Sequence, residues 1–188
     1  MEDTLPAEKA PSEEAPSGEP PKPKKKKRTA KDYIIGLAVK VGITALVVWL
    51  ILTFVAGVYV NHKNSSYPMI KDGDLCLTYK LSKLEQGDVV AYDCKGETRF
   101  GRVTALEGDT VEIKDDYITV NGNGIFEETV YPTSAEGSEI TYPYTVPKNS
   151  VFVLNDFRSD VSDSRTLGAL SLDDCKGKVV FVMRRRGI

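Results

Sequence analysis

Histidine is almost missing from this chain of 188 residues: His62 is the only one. Any catalytic pair that needs an imidazole must therefore be built around that position. Cysteine is scarce as well. Cys76, Cys94 and Cys175 form neither a CxxC motif nor a Cys/His spacing, so nothing supports a zinc site, and no cofactor motif is present. If two of the three pair, one thiol stays free. An oxidising compartment permits a disulfide, and small buried residues in strands account for the same cysteines equally well. Strand and helix patterns do not alternate, which excludes a parallel sheet built from βαβ units. Residues 1–32 lack apolar periodicity, and Pro6, Pro11, Pro16, Pro20, Pro21 and Pro23 break any helix, so this stretch is expected to be a disordered tail. There is little net charge, −2 in all. That balance hides an acidic stretch from Glu2 to Glu19 beside the basic cluster Lys22, Lys24 to Lys27 and Arg28. Overall charge gives no support for a nucleic-acid partner.

What the chain does have is one long apolar run. Residues 33–60 carry a single charge, Lys40, and the stretch beyond it is about 20 residues, enough to cross the hydrocarbon of a bilayer. A cleavable signal peptide has a shorter apolar region of about 7–15 residues and a small-x-small cleavage site. Gly57-Val58-Tyr59 spoils that pattern. One transmembrane helix over 33–60 is expected, with Tyr33 and Tyr59 near its ends as interfacial aromatics. The basic cluster precedes the run, so the positive-inside rule puts 1–32 in the cytoplasm and 61–188 on the other side.

Beyond residue 64 the pattern changes to short runs of strand character. Gly73-Asp74, Gly87-Asp88 and Gly108-Asp109 each precede such a run, and Asn121-Gly122 signals a hairpin because both central positions of a type I′ turn need positive φ. Residues 150–154 and 179–183 read as buried central strands. Residues 123–148, with Pro132, Pro143 and Pro147, fit neither period and are expected to be a variable insert. The fold class is therefore mainly β, an antiparallel domain behind one N-terminal membrane helix. The basic residues Arg184, Arg185 and Arg186 read either as membrane-phosphate ligands or as a solvated end.

Four segments recur in a telling order: Ser65-Ser66-Tyr67-Pro68, then Gly87-Asp88-Val89-Val90, then Gly101-Arg102-Val103 followed by Glu107-Gly108-Asp109, and last Asp156 with Asp163-Ser164-Arg165. Together they resemble the bacterial type I signal peptidases, membrane-bound serine proteases that remove signal peptides from exported proteins. The resemblance spans roughly residues 33–183. It implies a bacterial plasma-membrane location with an extracytoplasmic domain, a lipid bilayer and a signal peptide as partners, and no cofactor. It also implies Ser65 as nucleophile, with Pro68 shaping its segment. Arg102, Asp156, Asp163, Ser164 and Arg165 are then scaffold around the site. Ser66 stands where the family usually has Met.

The resemblance also exposes a gap. The family's general base is a lysine before Arg-Val, and here Gly101 stands at that position. A serine hydroxyl is a weak nucleophile unless a neighbour takes its proton, and glycine has nothing to take it with. Val161 replaces the serine that often orients the lysine amine. These departures point to a signal-peptidase-like protein that recognises signal peptides, with weak or no cleavage. By analogy with signal-peptidase-like proteins of pilus assembly, a pilin-type precursor is a second possible client. The alternative is an active peptidase in which Ser65 uses a displaced base, for which His62, Lys63 and Lys71 are the candidates. A self-cleaving repressor-like protease needs the same absent lysine and gives no reason for a membrane anchor. An anchored β domain of unrelated function remains open at this stage.

Overall fold

Helix α1 (Ala30–Leu50) starts where the proline-rich stretch has ended, with Asp32 in its first turn accepting the Thr29 N–H at 2.8 Å. A carboxylate there satisfies an orphan amide and complements the positive end of the helix dipole. None of its residues is buried. A π-helical turn, Ile51–Val55, extends it, and the Thr53 hydroxyl donates to the Trp49 carbonyl at 2.8 Å. Over Ala30–Val55 the helix is long and apolar enough to cross a membrane, with a mean hydropathy of 2.4 in its most apolar 18 residues. The computed structural model describes residues 29–125 and 131–184. Most of the expected tail, 1–28, together with 126–130 and 185–188, lies outside the described residues. Two compact units divide the chain, Met1–Val41 and Gly42–Ile188, and α1 contributes to both.

The helix begins three residues before the expected start and ends before residue 60. Strand β1 (Ala56–Val60) follows at once and pairs antiparallel with β2 (Leu75–Tyr79), from Ala56 against Tyr79 to Val60 against Leu75. Val58, Tyr59 and Val60 are residue types that suit a pleated strand, and an available partner edge decides the matter where apolar content alone cannot.

The remaining strands are β3 (Val89–Cys94), β4 (Glu97–Ala105), β5 (Thr110–Lys114), β6 (Tyr117–Val120), β7 (Asn123–Gly124), β8 (Tyr144–Thr145), β9 (Ser150–Leu154), β10 (Leu170–Ser171) and β11 (Cys175–Met183). They form a seven-stranded sheet in the order β1-β2-β11-β3-β4-β9-β10 and a four-stranded sheet in the order β7-β6-β5-β8. The paired strands are antiparallel throughout. The fold is mainly β with an N-terminal apolar helix.

The three Gly-Asp turns share one mechanism. Gly73, Gly87 and Gly108 have φ of 82°, 92° and 84°, which side-chain-bearing residues rarely adopt. The following aspartates, Asp74, Asp88 and Asp109, accept the N–H three residues back at 2.9, 2.9 and 2.8 Å. Asn121 and Gly122 have φ of 54° and 77°, joining β6 to β7 through the Val120–Asn123 pair. Lys95-Gly96 and Asp115-Asp116 make the same kind of hairpin, with positive φ at both residues.

β9 is buried as expected, and β11 is only partly so. It lies between β2 and β3, yet a register shift between Val179 and Phe181 turns Val180, Phe181 and Met183 outward. In the 123–148 region, β7 and β8 join the smaller sheet, while Ile140, Tyr142 and Tyr144 pack on the core formed by Ala105, Val111, Phe152 and Leu154. The three cysteines are free, and burial pushes the thiols of Cys76 and Cys175 up to about 11, with Asp74 and Asp174 adding to the effect.

Candidate functional site

The loop from β1 to β2 carries the candidate nucleophile. Its neck is closed by the buried Asn61, whose N–H donates to the Asp74 carbonyl at 2.9 Å and whose carbonyl accepts the Gly73 N–H at 2.8 Å. At its far end Ile70 is fully buried with Cys76, Val89, Ala91 and Phe100. Between these anchors the chain lies against β4 and the segment after β9. Ser65 is only 5% exposed, and its carbonyl accepts the Phe157 N–H at 2.9 Å. Ser66 is buried too. Its hydroxyl donates to the Phe100 carbonyl at 2.7 Å, tying the loop to β4 one residue before Gly101. The second serine of the pair is thus a structural tether. Among the described residues, no hydrogen bond engages the Ser65 hydroxyl.

Gly101 pairs with Val90 of β3, while the next residue, Arg102, pairs with Leu154 of β9. A Cβ at Gly101 would stand 2.5 Å from Val153 Cγ1, 3.2 Å from the Leu154 carbonyl oxygen and 3.5 Å from Tyr92 Cε1. The first distance is far inside van der Waals contact. Val153 and Tyr92 are both fully buried, so the place where a side chain would leave β4 is closed by packed core. The Tyr92 hydroxyl is buried with no hydrogen-bond partner among the described residues. Burial, then the nearby charge of Asp163, pushes its pKa above the ordinary phenol value. The phenol therefore stays protonated at neutral pH and is no substitute for an amine base.

Val161 lies half-buried, its Cγ2 3.3 Å from where a Cβ on Gly137 would be. The three sequence neighbours named as replacement bases are engaged elsewhere or exposed. Lys63 Nζ sits 2.6 Å from Glu97 Oε2, Lys71 Nζ lies 5.5 Å from the centre of the Tyr67 ring, and His62 faces solvent.

Around this gap the framework is dense. The Arg102 guanidinium grips Asp156 through Nε and Nη2 at 2.8 and 3.0 Å and donates through Nη1 to the Gly87 carbonyl at 2.8 Å. Arg165 and Asp163 form a fully buried pair, with Nε to Oδ1 at 3.0 Å and Nη2 to Oδ2 at 2.8 Å. The rest of the guanidinium is used by the carbonyls of Arg158 and Asp160 at 2.9 and 2.8 Å. Asp163 also caps the short helix α2 (Ser164–Leu167) and accepts the Asn155 N–H at 2.9 Å, while the Ser164 hydroxyl accepts the Val153 N–H at 2.9 Å. Such a pair is tolerated in the interior because every donor is answered. Pro68 follows Tyr67 at the outer side of the loop, beside Asp156 and Phe157.

Sequence reasoning marked Ser66 only as a departure from Met, without its tethering role, and missed Tyr92 and Val153. Tyr92 and Val90 share a face of β3 opposite Gly101, a signal available from strand alternation. Val153 becomes a neighbour only through the pairing of β4 with β9.

The chain thus carries a serine-bearing loop and a buried Asp-Ser-Arg segment on a mainly antiparallel β domain that follows an N-terminal apolar helix. The signal peptidase, peptidase S26 family model matches residues 34–184, and the chain belongs to that family. Signal peptidase I P of Bacillus subtilis subsp. natto is 29% identical over 154 residues, covering 74% of this chain and 83% of that protein. Signal peptidase IB of Staphylococcus aureus is 28% identical over 180 residues, covering 82% and 90%. A crystal structure of a signal peptidase I from Enterococcus faecalis matches with a TM-score of 0.46 at 29% identity, covering 53% of this chain and 98% of that one.

Proposed function

We propose that the protein receives signal peptides, or pilin-type precursors, on the Ser65 face and cleaves them weakly or not at all. One observation motivates this reading: at the position matched to the family's base lysine stands Gly101, where an added Cβ would press on Val153 at 2.5 Å. A hydroxyl without a base leaves only binding and oxyanion stabilisation, a loss of roughly 10³ to 10⁶ in turnover. The named relatives support the substrate class, and the retained Arg102–Asp156 and Asp163–Arg165 braces support an intact surface. The same reading places the tail before the helix in the cytoplasm and the β domain outside, in a bacterial plasma membrane.

The deciding experiment incubates the full chain, in a bilayer, with a signal-peptide-bearing precursor and compares it with Ser65→Ala. Expected is peptide binding without product, and no difference between the two proteins. Robust cleavage abolished by Ser65→Ala selects the alternative, an active peptidase with a displaced base. Protease added to sealed spheroplasts should digest the β domain, and its protection would reverse the topology.

A further inference from the structure

Beside the Ser65 loop lies a cavity of about 310 Å³ that none of the chemistry above uses. Tyr67, Pro68, Tyr131, Pro132 and Phe157 give its walls three aromatic and two pyrrolidine rings. The three aromatics remain 47%, 39% and 49% exposed, so a large apolar surface is left in water around a concave site. Of its two charged wall residues, Asp156 is paired and Arg158 is only 6% exposed. Asp156 holds the Arg102 guanidinium, and Arg158 donates to the Thr133 hydroxyl at 2.7 Å. The cavity therefore offers ring faces and phenolic hydroxyls, which complement an uncharged occupant.

Aromatic-lined grooves of this kind suit extended proline segments. A polyproline stretch is ordered before it binds, and its carbonyls, which lack internal partners, accept hydrogen bonds from phenols. The cavity is also continuous with the serine loop. Tyr67 and Pro68 follow Ser65 and Ser66 directly, and the Phe157 N–H is the donor to the Ser65 carbonyl.

We infer that this cavity is a subsite for an uncharged, proline-bearing stretch of the client polypeptide lying next to the part that meets Ser65. The inference rests on the client-binding reading above. It names a chemical preference that neither the serine loop nor the missing base implies.

The test uses the full chain in nanodiscs and three fluorescent peptides: a signal-peptide analogue carrying an adjoining Pro-x-x-Pro stretch, the same peptide with Ala-x-x-Ala, and the analogue alone. The proline peptide should bind about tenfold more tightly than its alanine counterpart, and Tyr67→Ser or Tyr131→Ser should erase that gap. A photo-crosslinker beside the proline should label Tyr67, Tyr131 or Phe157 in the unaltered protein, which needs no variant to fold. Equal affinity of the first two peptides, or crosslinks outside this cavity, overturns the subsite while leaving the client reading standing. Failure of all three peptides to bind overturns both. Removal of residues 1–28 should leave the proline preference unchanged. A gain in affinity on their removal would assign the cavity to the chain's own proline-rich stretch, sinking the inference and the placement of that stretch across the membrane together.

Discussion

Two neighbouring regions of the β domain have been treated differently. Around Arg165 a buried ion pair has every donor answered by Asp163 or by carbonyls. Around Gly101 the interior is apolar, closed by Val153, and holds one phenol with no partner among the described residues. The first region keeps a costly polar network that only correct geometry makes tolerable. The second has the low-cost filling of ordinary core. The difference teaches that one domain can hold a polar interior and an apolar one side by side, the first closed by hydrogen bonds and the second by packing.

The strongest way to break the comparison is to cut the brace. Asp163→Ala strands the Arg165 charge in the interior and removes the cap of α2, so a loss of about 3–5 kcal/mol is expected in chemical denaturation. A variant as stable as the parent would show the pair to be ornamental.

The next test acts on the filled region. Gly101→Ala should cost about 1–3 kcal/mol through overpacking against Val153, and adding Val153→Ala should recover much of it, a non-additive pair. By the same geometry, Gly101→Lys alone should give no Ser65-dependent cleavage. Gly101→Lys with Val153→Ala and Val161→Ser should give some, read as product from a signal-peptide precursor. Cleavage by the single variant would show that Val153 yields freely.

A smaller effect of opposite sign is expected from Tyr92→Phe. Deleting an unanswered buried hydroxyl should raise stability by about 1 kcal/mol, measured as a shift of the denaturation midpoint. A loss of stability would reveal a partner for that phenol.

The smallest effect concerns acid. Lys63 lowers the Glu97 carboxyl below its usual value, chiefly by hydrogen bonding, and Lys176 does the same to Asp93. Groups depressed in the folded state add stability above their unfolded values of 4.5 and 3.8, and that share is lost as pH falls through the lower folded values. Glu97 is exposed and Asp93 partly so, and the loss should be slight and screened by salt. A steep acid transition that Glu97→Gln and Asp93→Asn both leave unchanged would show that these two pairs do not set it.

Much of this was legible in the chain, for local reasons. The Gly-Asp turns and Asn121-Gly122 are decided by positive φ and by a carboxylate reaching back three residues, so the sequence displays them directly. The helix was legible as a length of apolar residues, whereas its end at Val55 was not, because Ala56 to Val60 become strand only through β2. The outward turn of Phe181 depends on a bulge that alternation does not mark. At the site, the absent side chain of Gly101 could be read from the residues around it. Its closure by Val153 could not, since residues 52 positions apart meet only through sheet pairing.

The junction after the π-helical turn has a mechanical consequence. No linker separates Val55 from β1, and Lys80 clasps the last turn, with its N–H donating to the Val55 carbonyl and its ammonium to those of Leu52 and Thr53. A joint of that kind transmits torque instead of absorbing it. Torque from Ile51–Val55 loads the Ala56–Tyr79 end of the β1–β2 pair first and reaches the serine loop, beyond Val60 and Leu75, only through the whole length of that pair.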